Sequence, residues 1–174
     1  MKPLIGTDLK RFLRDYRRTH PPAREIVALL QSVEYPVNVG SAFRIADAAR
    51  VNELILTGIT PTPPNPAIDK VARYKSLRVP WRYEQDPVPV LEALKADGYQ
   101  IVAIELTDEA VVYSDFEYAP KVCLVVGHED HGVTRATLSA CDASVFVPMY
   151  GQGLSLNVHV ALGIVMFHAL HAPG

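Results

Sequence analysis

IVALLQSVEYPVNVGSAFRIADAARVNELILT, residues 26–57, is the stretch whose pattern decides the fold. Ile26–Val33 is a short apolar run of strand length, Ser41–Val51 spaces its apolar residues as a helix does, and Glu53–Thr57 is a second short apolar run. Strands that are apolar on both faces and alternate with helices belong to a largely parallel sheet covered on each side.

The alternation continues outward. Gly58–Pro66 is a proline-rich loop, Ile68–Lys75 a helix and Val79–Tyr83 a short strand. Pro89–Ala96 reads as a helix ended by Gly98, Tyr99–Leu106 as a strand and Asp108–Pro120 as a loop. Lys121–Val126 is a strand, Thr134–Ala140 a short helix, Ser144–Met149 a strand and Leu156–Leu170 the final helix. Ahead of all these, Thr7–His20 aligns Leu9, Phe12, Leu13 and Tyr16 at helical spacing, sets Lys10, Arg11, Arg14, Arg17 and Arg18 on other faces, and stops at Pro21-Pro22. The expected organisation is a basic helical arm over residues 1–24 and one α/β domain over residues 25–174.

Bulk composition agrees with a single domain. The 174 residues, 49% hydrophobic and 21% charged, exclude a disordered or collagen-like chain. A formal net charge of -2 taken alone argues against a nucleic-acid partner. The charge is unevenly spread, however: residues 1–82 hold fourteen basic and seven acidic side chains, and residues 83–174 three and twelve. The first half is therefore a candidate partner for a polyanion. Cys123 and Cys141 are too few for a disulfide framework and read as reduced, buried thiols of a cytoplasmic protein. Met1–Phe12 holds no apolar core, so a secretory signal is not expected. Leu154–Leu170 is too short and too polar to span a bilayer, and reads as a helix buried in a core or an oligomer interface.

Ligands of such sheets bind where loops leave the carboxyl ends of strands, and three such loops are chemically unusual. Glu34–Gly40 leads into the helix that presents Arg44, an arrangement suited to an anion; alternatively, Asn38 caps that helix and Arg44 is simply solvated. Gly127-His128-Glu129-Asp130-His131-Gly132 follows the strand ending at Val126. Its histidines are spaced i, i+3 between glycines, unlike the i, i+4 pair of a zinc helix, so no metal is expected and Glu129 is read as an acceptor for backbone or Asn donors. Pro148–Asn157 lies before the last helix. It lacks the third glycine of a dinucleotide fingerprint and the acid that a serine nucleophile needs downstream, and Ser155 is placed to cap the helix.

In this order, the three loops resemble the SpoU/TrmH family of the SPOUT superfamily of RNA ribose 2′-O-methyltransferases. The residues that carry the likeness are Asn38-x-Gly-x-x-x-Arg44, Val126–Gly132, and Val147-Pro148-Met149-x-Gly151-x-x-x-Ser155-Leu156-Asn157-Val158. The resemblance implies an α/β fold with a C-terminal trefoil knot, an exception to the general absence of knots. It implies S-adenosyl-L-methionine as cofactor, held by Leu106, Gly127, Val147, Met149 and Leu156. It further implies a homodimer through the last helix, a tRNA substrate with rRNA as the alternative, and a catalytic set of Arg44, Asn38, Glu129, Ser155 and Asn157; a knotted RNA-binding protein that no longer methylates is the rival reading. His128, His131 and His159 depart from the family pattern. Lys10, Arg11, Arg14, Arg17 and Arg18, with the cluster Lys70, Arg73, Lys75, Arg78 and Arg82, are the candidate RNA-docking surfaces.

Overall fold

A computed structural model of the chain describes residues 1–172, so the last two residues of the expected domain, Pro173 and Gly174, lie outside the described residues. Its strands are β1 (Glu25–Gln31), β2 (Glu53–Thr57), β3 (Trp81–Glu84), β4 (Gln100–Ile104), β5 (Val111–Val112), β6 (Lys121–Val126) and β7 (Ala143–Phe146). Every pairing is parallel, and the order is β3-β2-β1-β6-β4-β7-β5. The helices are α1 (Gly6–Thr19), α2 (Pro36–Ala49), α3 (Pro66–Ala72), α4 (Pro87–Ala96), α5 (Arg135–Ser139) and α6 (Val158–His171), with a 3-10 turn at Lys75–Leu77.

Both faces of the sheet are buried, as the apolar strands require. Ile26, Ala28 and Leu30 join Phe43 of α2, Ile68 of α3 and Leu162 of α6 in one core layer. Val27 and Leu29, the alternate residues, pack with Leu91 and Leu94 of α4 on the other side. Gly40 lets α3 cross closely over α2: a Cβ there would lie 2.8 Å from both the Ile68 carbonyl oxygen and the Val71 Cβ.

Four expectations are corrected. α2 starts at Pro36 rather than Ser41, because a proline is well placed at the first helical position; its N-cap is Tyr35 with no side-chain bond, and Asn38 lies inside the helix instead of capping it. The helix expected over Ile68–Lys75 ends at Ala72, where Arg73 and Tyr74 turn to φ values of 49° and 60°. The loop at 108–120 contains β5, two residues paired with β7, too short to show periodicity. The last helix begins at Val158, capped by the Asn157 side chain on the His159 N–H at 3.2 Å, so Ser155 is not its cap. Cys123 is buried and Cys141 half-buried, both free, and burial pushes the Cys141 thiol up to about 12.

Both ends of the described chain are informative. α1 has no buried residue. Arg24, only 7% exposed, donates from Nε to the Tyr118 carbonyl at 3.1 Å and from Nη1 to the Ala169 and Ala172 carbonyls at 2.9 and 2.6 Å. One of the fourteen basic residues of the first half is thus spent on the carboxyl end of α6, where a cation complements the helix dipole.

Candidate active site

Loops leaving β4, β6 and β7, with the first turn of α6, enclose an open cavity of about 920 Å³, within the range of small-molecule sites. Leu106, Gly127, Val147, Met149 and Leu156 all line it, from three separate loops, as do Glu129, Ser155 and Asn157. Asn38 and Arg44 do not.

Asn38 instead joins the elements around the cavity. Its Nδ2 donates to Glu129 Oε1 at 2.6 Å, and its Oδ1 lies 3.0 Å from His159 Nδ1. Glu129 also accepts the backbone N–H groups of Glu34 at 2.9 Å and Tyr35 at 3.2 Å. Burial works to raise the Glu129 pKa, but the hydrogen bonds from Glu34, Asn38 and Tyr35 outweigh it and hold the carboxyl below the usual glutamate value. A carboxylate only accepts, so Asn38 must turn its amide nitrogen to Glu129 and its oxygen to His159, which fixes the proton on His159 Nδ1. Burial lowers the His159 pKa and favours the neutral ring. One side chain on α2 therefore ties the β6 loop to the start of α6.

The β6 loop is tightly built. A Cβ on buried Gly127 would collide with the backbone of Gly132 and Val133, and one on Gly132, at φ +63°, with the Glu105 carboxylate. Glu105 accepts the N–H groups of Leu106 at 3.1 Å and Val133 at 2.9 Å. His128 accepts the Asp130 N–H at Nδ1 and reaches the Glu34 carboxylate through Nε2 at 3.4 Å. Among the described residues, no group of three or more His, Cys, Asp or Glu side chains is arranged to hold a metal.

The opposite wall is open. Leu154 is 94% exposed, and Ser155 makes no hydrogen bond to another described residue. The Arg44 side chain is exposed on α2 and makes no ion pair or hydrogen bond among the described residues.

The candidate RNA-docking cations divide. On α1, Arg11 pairs with Asp8 and Arg14 with Asp15, both in the open, while Lys10, Arg17 and Arg18 make no ion pair among the described residues. Lys70, Arg73 and Arg78 are likewise exposed and unpaired among the described residues. Lys75 and Arg82 need correction: Lys75 binds Asp47 of α2 at 2.9 Å, and Arg82 lies between Glu53 and Glu84 at 3.2 and 3.0 Å, so internal carboxylates already hold both. Sequence reasoning singled out neither His159 as a partner of Asn38 nor Tyr74 among the cations. The only signal for His159 was its departure from the family pattern.

The chain is similar to known proteins over most of its length. The model of the SpoU rRNA Methylase family matches residues 25–167. A tRNA (guanosine(18)-2′-O)-methyltransferase of Escherichia coli is 28% identical over 145 residues, covering 83% of this chain and 62% of the relative. A 23S rRNA (guanosine(2553)-2′-O)-methyltransferase of Bacillus subtilis is 34% identical over 142 residues, covering 82% and 56%. The crystal structure of an AdoMet-bound rRNA methyltransferase from Sinorhizobium meliloti superposes with a TM-score of 0.78 at 28% identity, covering 91% of this chain and 60% of that one. The chain thus spans about three-fifths of the length of these relatives.

Proposed function

The chain belongs to the SpoU rRNA Methylase family through residues 25–167, and from that premise we propose that it transfers a methyl group from S-adenosyl-L-methionine to a ribose 2′-hydroxyl of structured RNA. We take tRNA as the substrate; the Bacillus subtilis relative, named for 23S rRNA, favours rRNA as the second reading. One observation carries the proposal: five residues drawn from three loops line a single cavity at the carboxyl ends of parallel strands.

The lining suits such a cofactor. Leu106, Val147 and Leu156 offer apolar surface to a heterocycle, Gly127 brings backbone close without a side chain, and the Glu105 and Asp130 carboxylates suit a cationic ligand. Bound there, S-adenosyl-L-methionine supplies an electrophilic methyl group on a sulfonium. The chain's own task is to hold the hydroxyl in line and to stabilise charge as its proton leaves. Glu129 is held as a carboxylate with its oxygens engaged by three N–H groups, so its part is to fix loop geometry. Arg44 presents a guanidinium, which carries N–H donors and no acceptor. It acts by stabilising the developing alkoxide or by holding the adjacent phosphate.

Arg44 lies outside the cavity lining of its own chain, so a homodimer that sets one subunit's Arg44 beside the other's cavity completes the site. Exposed Val160 and Phe167, one face of an α6 that carries no Asp, Glu, Lys or Arg, support this interface. The loops Gly127–Gly132 and Pro148–Asn157, which both contribute to the cavity lining, are the ones that would form the family's trefoil knot. The two free cysteines and the RNA substrate support a cytoplasmic location.

The test is transfer of a labelled methyl group from S-adenosyl-L-methionine to total tRNA and rRNA, followed by nucleoside mapping. Label in a 2′-O-methyl nucleoside is the expected result; label on a base, or none, overturns the proposal. Arg44→Ala is expected to abolish transfer while cofactor affinity, measured by calorimetry, stays near wild type.

A further inference from the structure

Tyr74 stands at the surface in an unusual setting. It is 69% exposed, its ring meets no other ring or cation, and its hydroxyl makes no hydrogen bond among the described residues. Lys70 and Arg73 precede it and Arg78 follows it, all exposed and without an ion pair among the described residues. Arg73 and Tyr74 are consecutive non-glycine residues in the left-handed region, at φ 49° and 60°, a conformation that L side chains adopt at a cost.

That backbone is firmly braced. The Arg73 N–H bonds to the Asp69 carbonyl at 2.9 Å, the Leu77 N–H bonds to the Tyr74 carbonyl at 3.2 Å, and buried Ser76 donates to Asp69 Oδ1 at 3.3 Å. Lys75, next in the chain, is fixed to Asp47 of α2 at 2.9 Å. Asp47 lies three residues beyond Arg44 on the same helix, so this segment is anchored one turn from Arg44. A strained turn, braced by these bonds and displaying exposed Tyr74 and Leu77 among three exposed cations, has the makings of a recognition element.

We propose that Tyr74 is a nucleobase-stacking residue that takes an unstacked base of the substrate RNA, with Lys70, Arg73 and Arg78 on the flanking phosphates. Aromatic rings beside cations bind single strands in this way, because every base has a stacking face while the cations follow the backbone. The charges decide between occupants: an apolar protein partner would leave three cations facing uncharged surface, whereas a polyanion neutralises them. The stacked nucleotide would lie near the ribose that Arg44 serves. The assignment rests on the RNA-methyltransferase reading above.

The experiment uses the full chain and a short single-stranded oligoribonucleotide carrying a fluorescent adenine analogue, which is quenched on stacking, in parallel with the same strand in a duplex. Wild type is expected to bind the single strand more tightly than the duplex and to quench the analogue. Tyr74→Ala is expected to lose the quench and about tenfold in affinity, and Tyr74→Phe to keep both. The dependence of affinity on salt stays unchanged in both variants, because neither alters charge. Equal affinity and quench in Tyr74→Ala overturn the inference, as does equal weakening in Ala and Phe, which marks a role for the hydroxyl instead. A change in sedimentation of Tyr74→Ala without a change in RNA binding assigns the patch to self-association and also overturns it. Wild type that methylates RNA while Tyr74→Ala binds normally sinks this inference alone. Wild type that neither binds nor methylates RNA sinks the underlying reading with it.

Discussion

The two walls of the cavity are built on opposite principles. The β6 loop is pinned by the three N–H donors to Glu129, the contact of His128 with Glu34 and the close packing of Gly127 on Gly132. Residues 153–156, which form much of the facing wall, are all exposed and make no hydrogen bond to another described residue. A pinned wall is preorganised and bears its ordering cost during folding; an open wall meets that cost when a ligand arrives. One wall should therefore report on stability and the other on affinity.

The largest expected effect is on the pinned side. In Gly127→Ala the new Cβ meets backbone, which cannot swing aside, so stability should fall by about 3 kcal/mol. The midpoint of thermal unfolding should drop by roughly 6–12 °C; circular dichroism against temperature measures it, and an unchanged midpoint breaks the contrast. Next is Glu129→Ala, which strips the acceptor from three donors at a cost of about 2 kcal/mol in urea unfolding.

The same carboxylate gives the pinned wall a pH signature. Its folded pKa is depressed, so the native state binds fewer protons than the unfolded one. Its contribution is full above the ordinary glutamate value of about 4.3 and is lost as pH falls through the lower folded value. Urea titrations at a series of acid pH values should show wild type losing more stability than Glu129→Gln across that window, and parallel curves would remove Glu129 as the pin. The smallest effect on stability belongs to the open wall: Leu154→Ala should stay within about 0.5 kcal/mol of wild type, yet weaken S-adenosyl-L-methionine binding severalfold in calorimetry. Lost stability with unchanged affinity would reverse the comparison.

The pinned wall was also the more legible one in the sequence. An acid between glycines after a buried strand has few fates besides accepting N–H groups, and Glu129 does so. β2 and β6 have the bounds their apolar runs predict, since a run buried on both faces ends where burial ends. Glu34–Gly40 read as loop because Pro, Asn and Gly are turn residues, whereas Pro36 in fact opens α2 and Gly40 accommodates α3. Partners far apart in the chain left no local trace. Nothing near His159 announces Asn38, 121 positions upstream. Lys75 is indistinguishable from Lys70 until the packing of α3 on α2 brings Asp47 within reach. Cation counts describe charge, and only tertiary structure separates the committed cations from the available ones.

Arg24 makes the two ends of the chain unequal places for an engineer to work. Its guanidinium is laid down beside β1 and draws on carbonyls contributed 145 and 148 positions later. A truncation that removes residues from Ala169 onward would take away two carbonyl acceptors of this buried cation, a costly loss. α1, with nothing buried, asks for no such return. Affinity handles, dyes and surface tethers therefore belong ahead of Gly6, and alterations after Leu170 should be expected to register in the first strand of the sheet.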